Sequence, residues 1–110
     1  MPPESLWDGP LIASRLLEYE VWTRLKALRL EQSHGEEARI LIQRVALIEL
    51  APPVLERALE PFPVPVRTRD ALHLASITFL LGRGQSVKLA SYDDRLLAAA
   101  QALDVPTAPL

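Results

Sequence analysis

Apolar residues recur near the start of the chain at the spacing of a helix. A short apolar piece, residues 11–13, precedes Ser14, a residue type that is favoured at helix N-caps. After it, apolar residues return every three or four positions up to about Leu30, namely at Leu17, Val21, Leu25 and Leu28. The pattern predicts a strand followed directly by a helix.

A second helix and a second strand are predicted next. Ser33, with Glu36 three residues later, has the form of a capping box. The helical spacing continues at Ala38, Leu41, Ile42 and Val45. The segment ALIEL, which ends at Leu50, is short and apolar, as expected for a buried strand.

Proline and glycine divide the middle of the chain. Pro52 and Pro53 suit the first turn of a helix over residues 54–59, because no N–H is needed there. The segment PFPVPV, residues 61–66, is predicted to be an extended connector, since proline pushes the preceding residue out of the helical region. Thr68 is then the predicted cap of a mostly apolar helix that Gly82 and Gly84 end.

The last third of the chain repeats the strand and helix order. Residues 87–90 are predicted to form a strand, Asp93 or Asp94 to open a helix that runs to about Leu103, and residues 105–110 to add an edge strand. Strands separated by helices are typical of a parallel sheet with helices on its faces. The predicted fold class is therefore α/β.

Composition narrows the class of protein. With 49% hydrophobic residues, ten prolines and four glycines in 110 residues, the chain is expected to be globular, with an irregular segment at 1–10 and one domain at 11–110. The absence of cysteine excludes disulfides and thiolate metal sites and fits a reducing cytoplasm. No window has the length of a membrane span, and the start lacks the pattern of a signal peptide.

Three acidic residues occupy positions where the predicted helices follow strands. Glu20 lies in the first helix, Asp70 in the first turn after Thr68, and Asp93 directly after the strand VKLA. In α/β folds, ligands bind outside the carboxyl ends of the strands. Carboxylates that meet there would form an all-oxygen site for Mg²⁺ or Mn²⁺, ions that can activate water for phosphodiester hydrolysis.

Each acid also has a simpler interpretation. The helix macrodipole alone favours Asp70 near a helix N-terminus, and Asp93 can be an ordinary N-cap. Glu20 can be a solvated helix residue, as Glu18 is expected to be. With only His34 and His73 in the chain, a histidine-rich zinc site is excluded.

Basic residues flank the three acids. The formal charge of −2 gives no general attraction to nucleic acid, so any such binding needs a local basic patch. The candidates for holding RNA phosphates are Arg15, Arg67, Arg69 and Arg95, all of which are equally explained as solvated charges.

Three segments of the chain together resemble one protein family. The segments ASRLLEYEVWTRL, RTRDALHLASI and LASYDDRLLAAAQALDVP are similar to PIN domains, in particular the VapC-type toxins of bacterial toxin–antitoxin pairs. The resemblance runs from about Leu11 to Leu110 and is most specific in DALHLA and SYDDRL. It implies that Glu20, Asp70 and Asp93 are catalytic metal ligands and that Asp94 is a neighbouring, less certain ligand.

The resemblance also implies an activity and partners. Such proteins are Mg²⁺- or Mn²⁺-dependent ribonucleases with a parallel sheet, commonly homodimeric, and a cognate antitoxin covers the acidic pocket. The expected function is therefore an endoribonuclease of a toxin–antitoxin pair, with RNA and an antitoxin as partners and no membrane association.

The chain departs from the family at its start. Family members begin with an apolar strand that ends in an aspartate, whereas MPPESLWDGP has no such strand, and its Asp8 is not a substitute. We therefore expect a PIN-like fold that lacks its first βα unit, with impaired ribonuclease activity and Met1 as an internal methionine of a longer protein. The alternative is a non-catalytic PIN-like module that binds an antitoxin or its own copy.

Overall fold

The computed structural model describes residues 11–108, which form an α/β arrangement of two parallel strands and five helices. The predicted irregular segment 1–10 and the last two residues of the predicted edge strand lie outside the described residues. The chain divides between Glu49 and Leu50 into two compact units. We call described residues 11–49 the N-terminal unit and described residues 50–108 the C-terminal unit.

The N-terminal unit carries the parallel sheet. Its elements are β1 (Leu11–Ser14), α1 (Leu16–Ala27), α2 (Glu31–Gln43) and β2 (Val45–Ile48). β1 pairs in parallel with β2, with Leu11 opposite Val45 and Ser14 opposite Ile48. The two helices form the crossover that a parallel connection requires. The predicted order of strand, two helices and strand is confirmed.

The predicted cap of α1 is wrong. Ser14 is the last residue of β1, because its pairing with Ile48 extends the strand by one residue. Arg15 becomes the N-cap of α1 and makes no side-chain hydrogen bond at the cap. Its backbone N–H instead donates to the carbonyl of Ile48 at 2.7 Å and so continues the strand contact.

The predicted capping box is also wrong. α2 begins at Glu31, so Ser33 lies inside the helix, where its hydroxyl donates to the carbonyl of Leu30 at 3.3 Å. Val45, which the spacing assigned to the helix, is the first residue of β2. At Val45 an apolar spacing that fits a helix also fits the strand, and the pairing of Val45 with Leu11 decides the boundary.

Few residues of the N-terminal unit are buried. Among residues 11–49, only Ser14 and Gly35 fall in the buried class. Gly35 lies in α2 against the Trp22 ring, and a Cβ atom at this position would be 3.4 Å from that ring. The guanidinium of Arg39 lies 5.8 Å from the ring centroid. Trp22 therefore packs between α1 and α2.

The C-terminal unit contains three helices, α3 (Pro52–Leu59), α4 (Thr68–Gly82) and α5 (Asp94–Ala102). The prolines in the first turn of α3 are confirmed, and residues 61–66 form neither helix nor strand, as predicted. Thr68 is the first helical residue of α4 rather than its cap, since Arg67 has the extended backbone of an N-cap. After α4, Gly84 adopts φ of 81°, a conformation for which glycine is suited.

The core of the C-terminal unit lies between α4 and α5. Leu74 and Ala100 are fully buried, and the cluster is completed by Leu96, Ala99 and Val105. Partly buried apolar residues from the proline-rich connector and from the segments before and after α5 surround it, including Phe62, Val64, Val66, Leu89 and Leu103. α3 packs against α4, and Val54 is 1% exposed.

The two predicted strands of the C-terminal unit are reduced to one bridge. Leu89 pairs in parallel with Thr107, and no ladder of residues 87–90 forms among the described residues. The N–H of Leu89 donates to the carbonyl of Pro106 at 2.8 Å, and the N–H of Ala108 donates to the carbonyl of Leu89 at 2.8 Å. Pro106 has no N–H to donate, which limits the pairing.

Across residues 11–108, none of the helices is long and apolar enough to cross a membrane.

Candidate functional site

Asp70 lies in the first turn of α4 and is buried. Asp70 is 4% exposed, and a carboxylate is seldom buried to this extent without a partner. The face that carries it also carries Ala71 and Leu74, which are 7% and 0% exposed. The N–H groups at the start of α4 favour a negative charge at this position. The helix start therefore stabilises a carboxylate that the packing withdraws from water.

Asp93 is the N-cap of α5. Its Oδ1 atom accepts hydrogen bonds from the N–H of Arg95 at 2.9 Å and of Leu96 at 3.3 Å. Its own N–H donates to Ser91 Oγ at 2.9 Å. The capping interpretation of Asp93 is therefore confirmed. These contacts fix the carboxylate while using only one of its two oxygens.

Arg69 lies close to the carboxylates of both Asp70 and Asp93. Its Nε atom is 3.8 Å from Asp70 Oδ1, and its Nη2 atom is 3.7 Å from Asp93 Oδ2. The arginine side chain is 54% exposed, whereas those of Asp70 and Asp93 are 6% and 38% exposed. Acids from the starts of two different helices thus face one guanidinium at the surface of the C-terminal unit. We call these three residues the Asp70–Arg69–Asp93 cluster.

The other two predicted acids are not part of this cluster. Glu20 is half-buried on α1 and belongs to the N-terminal unit. Asp94 is exposed at the first position of α5 and lines a groove of about 420 Å³ with Ser91, Tyr92 and Gln101. Within residues 11–108, no three His, Cys, Asp or Glu side chains form a group that could hold a metal ion. The carboxylates that the C-terminal unit does bring together are Asp70 and Asp93.

Two carboxylates still fit a hard divalent cation. Mg²⁺ keeps several waters and commonly uses one or two protein carboxylates together with substrate phosphate. Asp70 and the Oδ2 atom of Asp93 supply oxygen ligands of that kind. The chemistry of this donor set therefore suits Mg²⁺ or Mn²⁺ and does not suit a soft metal.

The four candidate phosphate-binding arginines differ in their surroundings. Arg15 donates from Nε to Glu49 Oε1 at 2.9 Å and also pairs with that oxygen through Nη2. This hydrogen-bonded carboxylate raises the pKa of Arg15, and the charges of Glu49 and Glu18 act in the same direction. The charge of Arg15 is therefore already offset within the N-terminal unit.

The remaining arginines lie at the starts of α4 and α5. Arg67 is the exposed N-cap of α4, and Arg95 is exposed in the first turn of α5. Arg67 comes three residues before Asp70, and Arg95 comes two residues after Asp93. Arg69 itself is part of the cluster.

Sequence reasoning missed an apolar groove on the C-terminal unit. The groove has a volume of about 690 Å³ and lies along the end of α3, the connector and the start of α4. Leu59 on its wall is 89% exposed. Beside it, the Arg57 guanidinium lies 4.5 Å from the centroid of the Phe62 ring, and its Nη1 atom is buried without a hydrogen-bond partner. The signal for this groove was the alternation of proline and apolar residues in PFPVPV.

Comparison with known proteins finds no similar protein or family. The chain matches no protein-family model, no curated protein and no solved structure. The identity of the candidate site therefore depends on the chemistry and positions of its own side chains. Those side chains are the buried Asp70, the capping Asp93 and the Arg69 that joins them.

Proposed function

We propose that the chain is a PIN-like, Mg²⁺- or Mn²⁺-dependent endoribonuclease of the VapC type, paired with an antitoxin. The observation that carries the proposal is the convergence of Asp70 and Asp93 on one cation, the guanidinium of Arg69. These are two of the three acids that the resemblance to PIN domains assigns to the metal site.

The burial of Asp70 supports a role beyond stability. Removing a carboxylate from water is unfavourable, and the start of α4 together with an ion pair at 3.8 Å to the half-exposed Arg69 offsets this cost. A metal ion bound beside Asp70 would add a further positive charge next to this buried carboxylate.

The two acids of the cluster and the arginines near them in sequence have different tasks in this proposal. Asp70 and Asp93 would hold the cation, and the hydrogen bonds to Asp93 Oδ1 keep that side chain in position. A bound Mg²⁺ or Mn²⁺ would orient water and offset negative charge in the hydrolysis of a phosphodiester. Arg67 and Arg95, both exposed near the pair, attract the phosphates of the RNA.

Two further acids complete the proposal by resemblance. Glu20 is the third catalytic acid, and Asp94 is an additional ligand candidate beside Asp93. Two variants, Glu20→Gln and Asp94→Asn, test these assignments. If Glu20 is a metal ligand, Glu20→Gln should bind Mn²⁺ more weakly than the unchanged chain does.

The experiment combines calorimetric titration of Mn²⁺ with cleavage of a labelled single-stranded RNA by the full chain. In Asp70→Asn we expect Mn²⁺ binding to weaken by at least about tenfold, because one charged ligand becomes neutral. RNA cleavage should fall in parallel. Asp93→Asn should weaken Mn²⁺ binding while leaving α5 capped, since asparagine caps as well as aspartate does.

Asp104→Asn is the matched control. Asp104 is exposed, lies after α5 and has φ of 58°, which asparagine also tolerates. This variant should bind Mn²⁺ and cleave RNA as the unchanged chain does. Cleavage that persists in both Asp70→Asn and Asp93→Asn would refute the site assignment, and absence of Mn²⁺ binding by the unchanged chain would refute the metal site.

A second function is favoured by the apolar groove. The wall residue Leu59 is 89% exposed, and exposed apolar surfaces of this kind are typical of protein interaction sites. We therefore keep the alternative that the chain is a non-catalytic PIN-like module that pairs with an antitoxin or with a second copy. In that case sedimentation or co-purification should show a stable complex that Leu59→Ser weakens, and Mn²⁺ should not bind.

A further inference from the structure

We propose that Arg69 is an internal competitor for the divalent cation. In the chain without metal, its guanidinium bridges Asp70 and Asp93, and it leaves this position when the cation binds. The inference rests on the proposed metal site and adds a regulatory contact to it. The cation must displace the Arg69 guanidinium from the two carboxylates, and this competition lowers the affinity of the site for the cation.

The distances are those of a bridge that can be displaced. Two nitrogens of one guanidinium face two carboxylates, at 3.8 Å from Asp70 and 3.7 Å from Asp93. Charge-assisted hydrogen bonds between such groups are normally about 2.7–2.9 Å long. The contacts are therefore ion pairs without tight hydrogen bonds, and separating them breaks no such bond between these atoms.

The positions of the three side chains allow the exchange to be local. Arg69 is 54% exposed, so its charged end can turn into water while its stem remains on α4. Asp70 is 6% exposed and lies on the packed face of the helix, and Asp93 is held by its capping hydrogen bonds. The two carboxylates therefore remain in place while the arginine moves.

Electrostatics makes the two occupants mutually exclusive. A guanidinium and a divalent cation that use the same two carboxylate oxygens would lie within a few ångströms of each other, where like charges repel strongly. Removing the positive charge at residue 69 should therefore favour the cation. By the same reasoning, the metal-free chain loses a counter-charge between two acids when Arg69 is replaced.

The test compares Arg69→Gln with Arg83→Gln in calorimetric titrations of the full chain with MnCl₂. In Arg69→Gln we expect Mn²⁺ to bind about tenfold more tightly, because the competing charge is gone. Arg83→Gln removes the same charge from the exposed C-cap at the other end of α4 and should change the affinity by less than about twofold.

Thermal unfolding supplies a second measurement that does not depend on activity. Without metal, Arg69→Gln should melt about 2 °C below the unchanged chain, because two neighbouring carboxylates lose their shared partner. Saturating Mn²⁺ should remove this difference. In the double variant Arg69→Gln/Asp70→Asn, the gain in Mn²⁺ affinity should be lost.

The outcomes separate this inference from the proposed function. If Asp70→Asn abolishes Mn²⁺ binding while Arg69→Gln leaves it unchanged or weaker, the metal site stands and the competition is refuted. If Arg69→Gln instead weakens RNA binding alone, Arg69 is a phosphate contact and the competition is also refuted. If neither the unchanged chain nor Arg69→Gln binds Mn²⁺, both the metal site and the inference are wrong.

Discussion

The two units of the chain differ in how they are held together. The C-terminal unit has a core in which Leu74, Ala75 and Ala100 are 0% exposed. In the N-terminal unit, by contrast, α1 has no buried residue, and α2 buries only Gly35. Both units contain regular helices of ordinary length. The difference shows that a helix of this chain can form without contributing buried apolar side chains to a core.

The consequence concerns where the stability of the chain resides. Isolated helices of 12 or 13 residues, the lengths of α1 and α2, are marginal in water without tertiary packing. The apolar side chains of those two helices are half-buried or exposed. The half-buried Trp22 ring, for example, packs against Gly35. We therefore expect the N-terminal unit to open at lower free energy than α4 and its neighbours. Backbone hydrogen exchange measures this directly.

The largest effect that separates the two units should come from leucine truncation. Leu74→Ala in α4 should destabilise the chain by about 2–5 kcal/mol, because it removes a fully buried side chain and leaves a cavity. Leu41→Ala in α2, where the leucine is 44% exposed, should change stability by less than about 1 kcal/mol. Urea unfolding followed by circular dichroism measures both. Equal effects would mean that the N-terminal unit has an important apolar interface of its own.

An intermediate effect should come from the cap of α5. The caps of α1 and α2 make no side-chain hydrogen bond, whereas Asp93 accepts two from backbone N–H groups. Asp93→Ala should therefore destabilise the C-terminal unit by about 0.5–2 kcal/mol, and Asp93→Asn by only a few tenths. Thermal unfolding of the metal-free chain distinguishes them. A loss in Asp93→Asn as large as in Asp93→Ala would show that charge, not capping, dominates.

The smallest effects should have opposite signs in the two units. Gly35→Ala should stabilise α2 by about 0.5–1 kcal/mol, since alanine favours the helix and its Cβ would meet Trp22 at an ordinary contact distance of 3.4 Å. Gly84→Ala should destabilise the chain by about 1 kcal/mol, because φ at this residue is 81°. Melting temperatures of the two variants provide the comparison. A loss of stability in Gly35→Ala would mean that the Trp22 contact tolerates no added atom.

Much of the secondary structure could be predicted from the sequence. Local signals were sufficient for the prolines at the start of α3, for the glycine after α4 and for the cap at Asp93, since each acts within one turn of chain. The predicted caps at Ser14 and Ser33 failed because the helix starts there depend on strand pairing and on a start at Glu31. The predicted strand at residues 87–90 failed as a ladder because its partner segment contains Pro106.

The candidate site was predictable only in part. The sequence indicated Asp70 and Asp93 together with Glu20, and the starts of α4 and α5 do bring Asp70 and Asp93 to the same guanidinium. It did not indicate that Arg69 joins them, since that contact depends on how closely the starts of α4 and α5 approach. The choice among the four arginines likewise needed side-chain positions: Arg15 is engaged by Glu49, a residue far from it in the chain.

The parallel pairing of β1 with β2 has a consequence for how the chain folds. Partners across this sheet, such as Leu11 and Val45, and also the ion pair of Arg15 with Glu49, are 34 residues apart in sequence. Closing a loop of that length lowers chain entropy by the equivalent of about 3 kcal/mol before any strand contact forms. Contacts between distant residues form slowly for this reason. We therefore expect α1 and α2 to form before the sheet, and the sheet to be the slow step in the assembly of its unit.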